Sequence, residues 1–250
     1  DDKLFIVVDS WQEQSAGSLF GHDFKIFQSV LSSTSLSIFT SNTTTIANCY
    51  WCILIKIMAG IKSAKSALRK KMKDIITQLN TEEKQRQSMK VFDKLCSLPQ
   101  FQESTRISSY LSTKDEIDTI EILKYIFERK KVVFVPRYKG KEMEMVKLHS
   151  MQDYETLPLT KWNIKQPNVN ELRENALQTA LIFKNYSNMY YQLGKRLGHG
   201  MGYYDKFLDL CLKKQQKIPH LIALAFNEQL CEDIPTSEND ILLDLVLTEK

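Results

Sequence analysis

Apolar residues recur at helical spacing over residues 61–79, with lysines and an arginine on the opposite side. Residues three and four positions apart share one side of a helix, so this stretch is predicted to be an amphipathic helix. Its apolar face comprises Ile61, Ala64, Leu68, Met72, Ile75 or Ile76, and Leu79. A second helix is predicted to begin after a cap at Asn80 or Thr81 and to end at about Ser97.

The following stretch alternates between short apolar runs and a helical pattern. Residues 106–111 and 131–135 are typical of strands, and residues 119–130 between them have helical spacing. A strand, a helix and a strand in succession favour a parallel sheet with a crossover helix. Further strands are predicted at four places: residues 143–148, 180–183, 219–226 and 242–248. The predicted fold class is therefore α/β.

Half of the eight glycines lie within residues 194–205, which read Gly-Lys-Arg-Leu-Gly-His-Gly-Met-Gly-Tyr-Tyr-Asp. Glycine permits positive φ and leaves its amide N–H accessible. A helix is predicted to begin at Tyr203, so unpaired N–H groups and the helix dipole favour an anion there. Three side chains add donors: Lys195, Arg196 and His199. The pattern indicates a phosphate-binding loop of an enzyme that handles a nucleotide, with a plain turn as the alternative.

Other polar residues stand at positions where ligands bind. Lys65 and Arg69 are four residues apart, so they project from the same side of the first helix, toward either a polyphosphate or solvent. Residues 111–116 and 136–138 follow predicted strands, and parallel sheets bind ligands at the carboxyl ends of their strands. Glu116 is either a ligand contact or a plain surface carboxylate.

Three residues in or beside predicted loops complete the candidates. Trp162 either anchors its loop to the core or stacks on a ligand ring. Asp205, on the first turn after the glycines, could hold a divalent metal, and Asp240 in a polar tip is a second candidate carboxylate.

Composition limits the possible classes of protein. The 250 residues suffice for one large or two small domains with a hydrophobic core. A net charge of +4 is mild and does not indicate the clustered basic face of a nucleic-acid-binding protein. Five cysteines without a regular framework favour a reducing compartment.

Residues 1–57 differ from the rest of the chain. Their apolar run, residues 46–58, is shorter than the roughly 20 residues that a membrane span needs. Met58 precedes the first amphipathic helix, so we expect residues 58–250 to form the functional fold and residues 1–57 to lie outside it. The alternative is a genuine extension with a weak hydrophobic anchor.

The motifs occur in an order that resembles the 5-formyltetrahydrofolate cyclo-ligase family, also called 5,10-methenyltetrahydrofolate synthetases. The resemblance covers about residues 61–248, and its most specific part is Arg-Leu-Gly-x-Gly-x-Gly-Tyr-Tyr-Asp at residues 196–205. Six shorter motifs accompany it: residues 65–69, 115–117, 136–138, 162–164, 224–226 and 238–240.

This resemblance implies a three-layer, Rossmann-like α/β fold with a mostly parallel sheet. It implies ATP-dependent closure of 5-formyltetrahydrofolate to 5,10-methenyltetrahydrofolate with Mg²⁺, releasing ADP and phosphate. The implied ATP site comprises Lys65, Ser66, Ala67, Leu68, Arg69, Arg196, Leu197, Gly198, His199, Gly200, Met201, Gly202, Tyr203 and Tyr204. Within it, Lys65 and Arg196 are the implied catalytic residues. The implied folate contacts are Leu111, Glu116, Trp162, Tyr203 and Tyr204, and the implied magnesium carboxylates are Asp205 and Asp240.

The reaction needs no protein nucleophile. Transfer of the ATP γ-phosphoryl group to the formyl oxygen makes this oxygen a good leaving group, and a neighbouring folate nitrogen then closes the ring. Catalysis would come from positioning and charge stabilisation by N–H donors, cations and a metal held by carboxylates. The expected partner is a small reduced folate, with neither nucleic acid nor membrane. We expect a monomer in the cytoplasm, with a mitochondrial location as the alternative.

The chain departs from the family pattern at two places. His199 and Met201 stand where some members carry basic residues. Residues 184–193 replace a strand end of Pro-Gly followed by Asp and Gly. The second departure leaves open a catalytically inert homologue that binds ATP or folate. A basic RNA-binding module on the same fold is a third hypothesis.

Overall fold

The computed structural model describes residues 4–6, 41–140, 142–161, 163–177, 189–190, 196–198, 202–215, 220–231 and 242–250. Side chains are described from residue 59 onward within these ranges, except at residues 189, 190, 196, 212 and 215. The chain divides into two compact units, one formed by Asp1–Trp11 with Lys65–Lys250 and the other by Gln12–Ala64. In the second unit, the backbone of residues 41–64 is helical.

A six-stranded sheet forms the centre of the first unit. Its strands are β1 (Leu4–Ile6), β2 (Arg106–Ser109), β3 (Val132–Lys139), β4 (Glu142–Leu148), β7 (His220–Leu224) and β8 (Leu245–Leu247). Their order across the sheet is β4-β3-β2-β1-β7-β8. Only the β3–β4 pair is antiparallel among the neighbours of this sheet. The predicted α/β class with a mostly parallel sheet is therefore confirmed, and the three-layer arrangement stays a prediction.

The strand–helix–strand unit predicted from the alternating pattern is present. Strands β2 and β3 pair in parallel with Ile107 opposite Val133, and helix α4 (Ile120–Glu128) lies between them in sequence. Strand β3 continues to Lys139, beyond the predicted end at Val135, because its second half pairs with β4. Ile107 of β2 and residues 133–135 of β3 are buried, as expected for parallel strands.

Five further α-helices lie in the described chain, together with a 3-10 turn at Asn227–Gln229: α1 (Ser41–Gln78), α2 (Thr81–Cys96), α3 (Pro99–Glu103), α5 (Met151–Thr156) and α6 (Tyr203–Gln215). The predicted start of the first helix at Ile61 is wrong, because α1 begins at Ser41. Gly60 costs a helix only about 1 kcal/mol relative to alanine and does not interrupt it. Helix α2 begins as predicted, since the Asn80 side chain accepts a hydrogen bond from the Glu83 N–H at 2.7 Å.

Strand β1 occupies the middle of the sheet. Leu4 lies opposite Ile107 of β2 on one side and His220 of β7 on the other, and both pairings are parallel. The expectation that residues 1–57 lie outside the fold is thus wrong for Leu4–Ile6. A short apolar strand can pair on both sides wherever two parallel neighbours leave room for it. The boundary expected at residue 58 otherwise stays a prediction.

A covered edge ends the sheet at β4. The Lys147 N–H donates to the Glu174 carbonyl, and the Ala176 N–H donates to the Met145 carbonyl, both at 2.9 Å. Residues 174–176 therefore occupy hydrogen-bonding groups that an edge strand would otherwise leave exposed.

The strand predicted at residues 180–183 and the polar tip that contains Asp240 lie outside the described residues. Strands β5 (Met189–Tyr190) and β6 (Arg196–Leu197) form a separate antiparallel pair, and β6 lies within the glycine-rich stretch. Among the cysteines with described side chains, Cys96 is a free thiol, and the buried Cys211 donates a hydrogen bond to the Phe207 carbonyl at 3.0 Å. Within the described chain, every helix is too short or too polar to cross a membrane.

Candidate active site

The carboxyl ends of β2 and β3 meet at one edge of the sheet because the two strands are parallel. Leu111 and Glu116 follow β2, and Tyr138 lies in the last part of β3. Leu111 and Glu116 are both buried, with 6% and 7% of their surfaces exposed. This edge is where parallel α/β sheets bind ligands, so two predicted folate contacts lie in a suitable place.

Glu116 is held in a tight turn. Its Oε2 atom accepts a hydrogen bond from the Thr113 N–H at 2.7 Å, and its own N–H donates to the Thr113 carbonyl at 3.2 Å. A surface carboxylate would be exposed, so burial at this edge favours the ligand-contact interpretation over the alternative.

Helix α2 fixes the turn that carries Glu116. Lys84 Nζ lies 2.7 Å from Asp115 Oδ1, and the Lys84 side chain is only 14% exposed. The Ser88 hydroxyl accepts a hydrogen bond from the Asp118 N–H at 3.0 Å. These two contacts flank Glu116 in sequence and therefore restrict its backbone.

The first helix and the glycine-rich stretch meet directly. Arg69 Nε donates a hydrogen bond to the Gly198 carbonyl, across 129 positions of sequence. Lys65, one turn earlier on the same side of α1, is half-buried like Arg69. Ser66 and Ala67 are exposed, and Leu68 packs on the core. Arg69 thus contacts the glycine-rich stretch, and Lys65 projects from the same side of α1 one turn earlier; their role at a polyphosphate stays a prediction.

Gly202 provides the backbone conformation that the sequence predicted for this stretch. Its φ of +64° is in the left-handed region, which non-glycine residues rarely adopt. Its carbonyl accepts the first helical hydrogen bond of α6, from the Lys206 N–H at 3.1 Å. The N-terminus of α6 therefore follows Gly202 immediately, and the anion site expected there stays a prediction.

Three tyrosines join α6 to strand β3. The rings of Tyr138 and Tyr203 meet edge to face, with centroids 5.1 Å apart. The Tyr203 hydroxyl donates to the Gly140 carbonyl at 3.0 Å, and the Tyr138 and Tyr204 hydroxyls are 3.4 Å apart. Tyr204 is fully buried and Tyr203 is half-buried. The predicted folate contacts Tyr203 and Tyr204 therefore lie beside the end of β3.

Gln166 was not identified from the sequence. Its side chain forms two hydrogen bonds with the backbone of Tyr138: Oε1 accepts from the N–H at 3.0 Å, and Nε2 donates to the carbonyl at 3.1 Å. No sequence pattern indicates this contact, since a glutamine before a proline is common in loops and the partners lie 28 positions apart.

Arg137 is buried, and its guanidinium forms hydrogen bonds with other parts of the protein. It is 6% exposed, its Nε donates to Glu144 Oε1 at 2.9 Å, and its Nη1 donates to the carbonyls of Asn168 and Glu171. A guanidinium engaged in this way fixes a loop, so this residue of the 136–138 motif anchors the segment after Pro167.

Arg173 anchors the same segment at its far end. Its guanidinium binds both carboxylate oxygens of Asp153 on α5, at 2.5 and 2.7 Å. Burial raises the pKa of Asp153, but hydrogen bonds from Arg173 and from the His149 N–H outweigh burial, so the net pKa lies below its ordinary value. Residues 168–173 are therefore held at both ends, by Arg137 at the start and by Arg173 at the end.

Asp205 lies half-buried on the first turn of α6. Magnesium in nucleotide sites is held by one or two carboxylates together with substrate phosphates and waters. Among the residues that the structure describes, no three His, Cys, Asp or Glu side chains form a cluster. One carboxylate beside the glycines fits the nucleotide type of magnesium site.

Some predicted residues lie outside the described ranges: His199, Gly200, Met201, Trp162 and Asp240. Of Arg196, only the backbone is described, and it pairs with Tyr190 in the two-stranded ribbon. Leu197, next to it, is fully buried. The roles expected for these residues stay predictions.

Comparisons with known proteins identify the family. The model of the 5-formyltetrahydrofolate cyclo-ligase family matches residues 61–249. A Mus musculus relative named 5-formyltetrahydrofolate cyclo-ligase is 42% identical over 194 residues, covering 76% of this chain and 95% of that protein. A Caenorhabditis elegans relative, named a probable 5-formyltetrahydrofolate cyclo-ligase, is 38% identical, covering 77% of this chain and 96% of that protein.

A solved structure agrees with these relatives. The NMR structure of Aquifex aeolicus 5,10-methenyltetrahydrofolate synthetase superposes with a TM-score of 0.61 at 31% sequence identity. It covers 74% of this chain and 90% of that protein. The family match, the near-complete coverage of relatives and the shared fold establish that this chain belongs to the 5-formyltetrahydrofolate cyclo-ligase family.

Proposed function

We propose that this protein uses ATP and Mg²⁺ to close 5-formyltetrahydrofolate to 5,10-methenyltetrahydrofolate, releasing ADP and phosphate. The observation that carries the proposal is the hydrogen bond from Arg69 to the Gly198 carbonyl. It brings Arg69 of α1 to the glycine-rich stretch that precedes α6, which supports a triphosphate site because a triphosphate needs positive charge and N–H donors.

The reaction is a phosphoryl transfer followed by ring closure. The formyl oxygen forms a bond to the γ-phosphorus, and the bond from this phosphorus to the β,γ-bridging oxygen breaks, so ADP leaves. The lone pair of the neighbouring folate nitrogen then attacks the formyl carbon. The carbon–oxygen bond breaks, phosphate departs, and the attacking nitrogen loses its proton.

The protein contributes charge and orientation to both steps. Lys65 and Arg69 bind the triphosphate from α1, and Arg196 adds a cation from the glycine-rich stretch. The glycine N–H groups hold the transferring phosphoryl oxygens. Because charge moves toward the β-phosphate as the bond breaks, cations that are already in position stabilise the transition state. His199 and Met201 complete the loop without a full charge.

Asp205 is the proposed magnesium ligand on α6, with Asp240 as its partner. Magnesium, when bound, neutralises charge on the phosphates and orients them. Asp205 follows Tyr203 and Tyr204 directly, so one helical turn would present both the metal carboxylate and two folate-lining rings.

The folate is proposed to lie at the carboxyl edge of β2 and β3. Leu111 and Glu116 contact it from the β2 side, Tyr203 and Tyr204 from α6, and Trp162 from its loop. The buried carboxylate of Glu116 can accept hydrogen bonds from ring N–H groups of a pterin, which supports its role in orientation.

We also propose that the functional residues all come from residues 58–250, which include every predicted site position. The partner is the reduced folate alone, the protein acts as a monomer, and its compartment is the cytoplasm. The five cysteines without a regular framework, of which Cys96 is a free thiol, support a reducing compartment.

Turnover by the full chain tests the proposal. The protein is mixed with 5-formyltetrahydrofolate and Mg²⁺, with and without ATP, and the near-ultraviolet band of the methenyl product is followed. We expect growth of this band only with ATP. A folded protein without turnover that still binds ATP or folate would identify the inert homologue instead.

Arg196→Ala then tests the site. We expect turnover to fall while thermal stability changes little, because a loop cation rarely supports a core. Arg129→Ala, which removes an exposed arginine after α4, is the matched control. Wild-type turnover in Arg196→Ala would exclude Arg196 from the site.

A further inference from the structure

We propose that Gln166 is a positioning residue that sets the folate side of the site through Tyr138. The inference rests on the proposed function, and it assigns a role to a residue outside the ATP and folate motifs. It is carried by the contacts of one buried carboxamide with the backbone of β3.

The carboxamide acts as an additional strand partner. Gln166 Oε1 accepts from the Tyr138 N–H, and Gln166 Nε2 donates to the Tyr138 carbonyl. Strand β2 pairs with β3 only as far as Phe134, so the side chain satisfies backbone groups beyond the end of the parallel ladder. Gln166 is 9% exposed, and a buried backbone N–H and carbonyl left without partners would be costly.

The loop that carries Gln166 is held by its own hydrogen bonds. The Gln166 N–H donates to the Pro158 carbonyl at 3.0 Å, and the Thr160 N–H donates to the Ile164 carbonyl at 2.8 Å. Lys165 Nζ donates to the Tyr154 carbonyl at 2.8 Å, at the end of α5. The loop is thus fixed at its base, so the carboxamide is presented to β3 in a defined position.

Tyr138 transmits this position to α6. Its backbone is held by Gln166, its ring lies edge to face with Tyr203, and its hydroxyl is 3.4 Å from that of Tyr204. These two tyrosines begin the helix immediately after Gly202 and are the proposed folate lining. Gln166 therefore fixes the wall on which two folate-lining rings rest.

The contacts predict an asymmetric effect on the two substrates. Gln166 contacts β3 at the Tyr138 end, while Arg69 and Gly198 meet through a separate hydrogen bond. Loss of the carboxamide bonds should therefore weaken folate binding more than ATP binding. A residue that only stabilised the fold would not separate the two KM values.

Two variants test this role in the full chain. Gln166→Met keeps the length of the side chain and removes both hydrogen bonds. Gln166→Glu keeps an acceptor for the Tyr138 N–H but places a second oxygen opposite the Tyr138 carbonyl. Gln152→Met, at an exposed glutamine of α5, is the matched control.

For both variants we expect the KM for 5-formyltetrahydrofolate to rise about tenfold or more, with the KM for ATP within about twofold of wild type. Gln152→Met should match wild type in both. Folded variants with wild-type folate KM, or with equal changes in both KM values, would overturn the proposal.

Hydrogen–deuterium exchange of the wild-type protein decides the question even if both variants fail to fold. Saturating 5-formyltetrahydrofolate should slow exchange in peptides covering residues 136–140 and 163–167 together, and a non-hydrolysable ATP analogue alone should not. If folate leaves both peptides unchanged, the inference is wrong. If the protein turns over 5-formyltetrahydrofolate but exchange in both peptides is unaffected by folate, this inference alone is refuted. If folate slows exchange in both peptides but there is no turnover, only the proposed reaction is refuted.

Discussion

Arg69 of the first helix donates its Nε hydrogen to the carbonyl of Gly198, so the guanidinium orients the backbone that begins the glycine-rich stretch. This hydrogen bond is made by the Nε atom of the guanidinium fork, and the two Nη groups point in other directions. Lysine has the same charge but cannot reproduce the fork.

Arg69→Lys should therefore raise the KM for ATP by about 10- to 100-fold, the equivalent of one hydrogen bond to a charged group. The folate KM should change much less. Steady-state kinetics with each substrate varied provide the measurement, and Lys70→Ala, at the next and exposed position, is the control. Equal ATP KM values for Arg69→Lys and wild type would mean that the Arg69–Gly198 contact makes no contribution to nucleotide binding.

Glu116→Gln should affect the other substrate. The substitution keeps the shape and the acceptor for the Thr113 N–H but removes the buried charge. We expect the folate KM to rise about tenfold or more, because the proposed charge-assisted hydrogen bond to the pterin would be lost. Glu128→Gln, at an exposed glutamate of α4, should behave as wild type, and an unchanged folate KM in Glu116→Gln would assign Glu116 a structural role.

Gly202→Ala tests whether the site needs the backbone conformation of a glycine at this position, because the added methyl group meets no steric obstacle. A Cβ atom at Gly202 would meet nothing within 4 Å, but φ is +64°, which costs a non-glycine residue about 1 kcal/mol or more. We expect a modest loss of thermal stability together with a marked fall in turnover. Gly140→Ala, at a φ of +62° with similar space, should cost comparable stability and retain more activity. Equal activities in both variants would mean that the turn at Gly202 has no special role.

The Asp153–Arg173 pair should make part of the stability depend on pH. The native pKa of Asp153 lies below its ordinary value, so its contribution is fully present above the unfolded pKa near 4 and is lost as pH falls through the native pKa. Asp153→Asn should cost about 2 kcal/mol at pH 7, and this difference should shrink below about pH 4. Urea unfolding at several pH values measures it.

The matched control for this pair is Asp209→Asn, which removes an exposed partner of Lys213 on α6. An exposed pair contributes only about 0.3–0.5 kcal/mol, so the control should show little change at any pH. A constant difference between wild type and Asp153→Asn from pH 3 to pH 7 would contradict the lowered pKa.

Phe5→Pro should test the central strand. Proline lacks the N–H that a strand paired on both sides requires, so the substitution should destabilise the fold by about 3 kcal/mol or more. Phe5→Leu, which keeps the N–H, is the control, and thermal unfolding by circular dichroism is the measurement. An unaffected Phe5→Pro protein would mean that another segment can occupy the position between β2 and β7.

Local patterns predicted β2, α4 and β3 because each has a clear period and an apolar face. The end of β3 was not predictable in the same way. Pro136 signals a break, but the β2–β3 ladder has already ended at Phe134, and the strand continues by pairing with β4. Helices α3 and α5 have five and six residues, too few to show a helical period.

Some residues of the candidate site could be predicted from the sequence, and others could not. Gly202 and the cation pair of α1 were predicted because glycine and paired charges have a direct physical meaning at fixed spacing. Gln166 and Lys84 were not, because their roles depend on partners 28 and 31 positions away that only folding brings near. Strand β1 was missed for the same reason, since three apolar residues near a chain end resemble many loops.

The covering of β4 by residues 174–176 has a consequence for behaviour at high concentration. An uncovered edge strand can template the addition of a strand from a second molecule, which is a common route to aggregation. Here the N–H of Lys147 and the carbonyl of Met145 are already engaged by the same chain. Residues 174–176 therefore protect the protein from edge-to-edge self-association at β4, and variants that release these residues from β4 should precipitate sooner than wild type on heating.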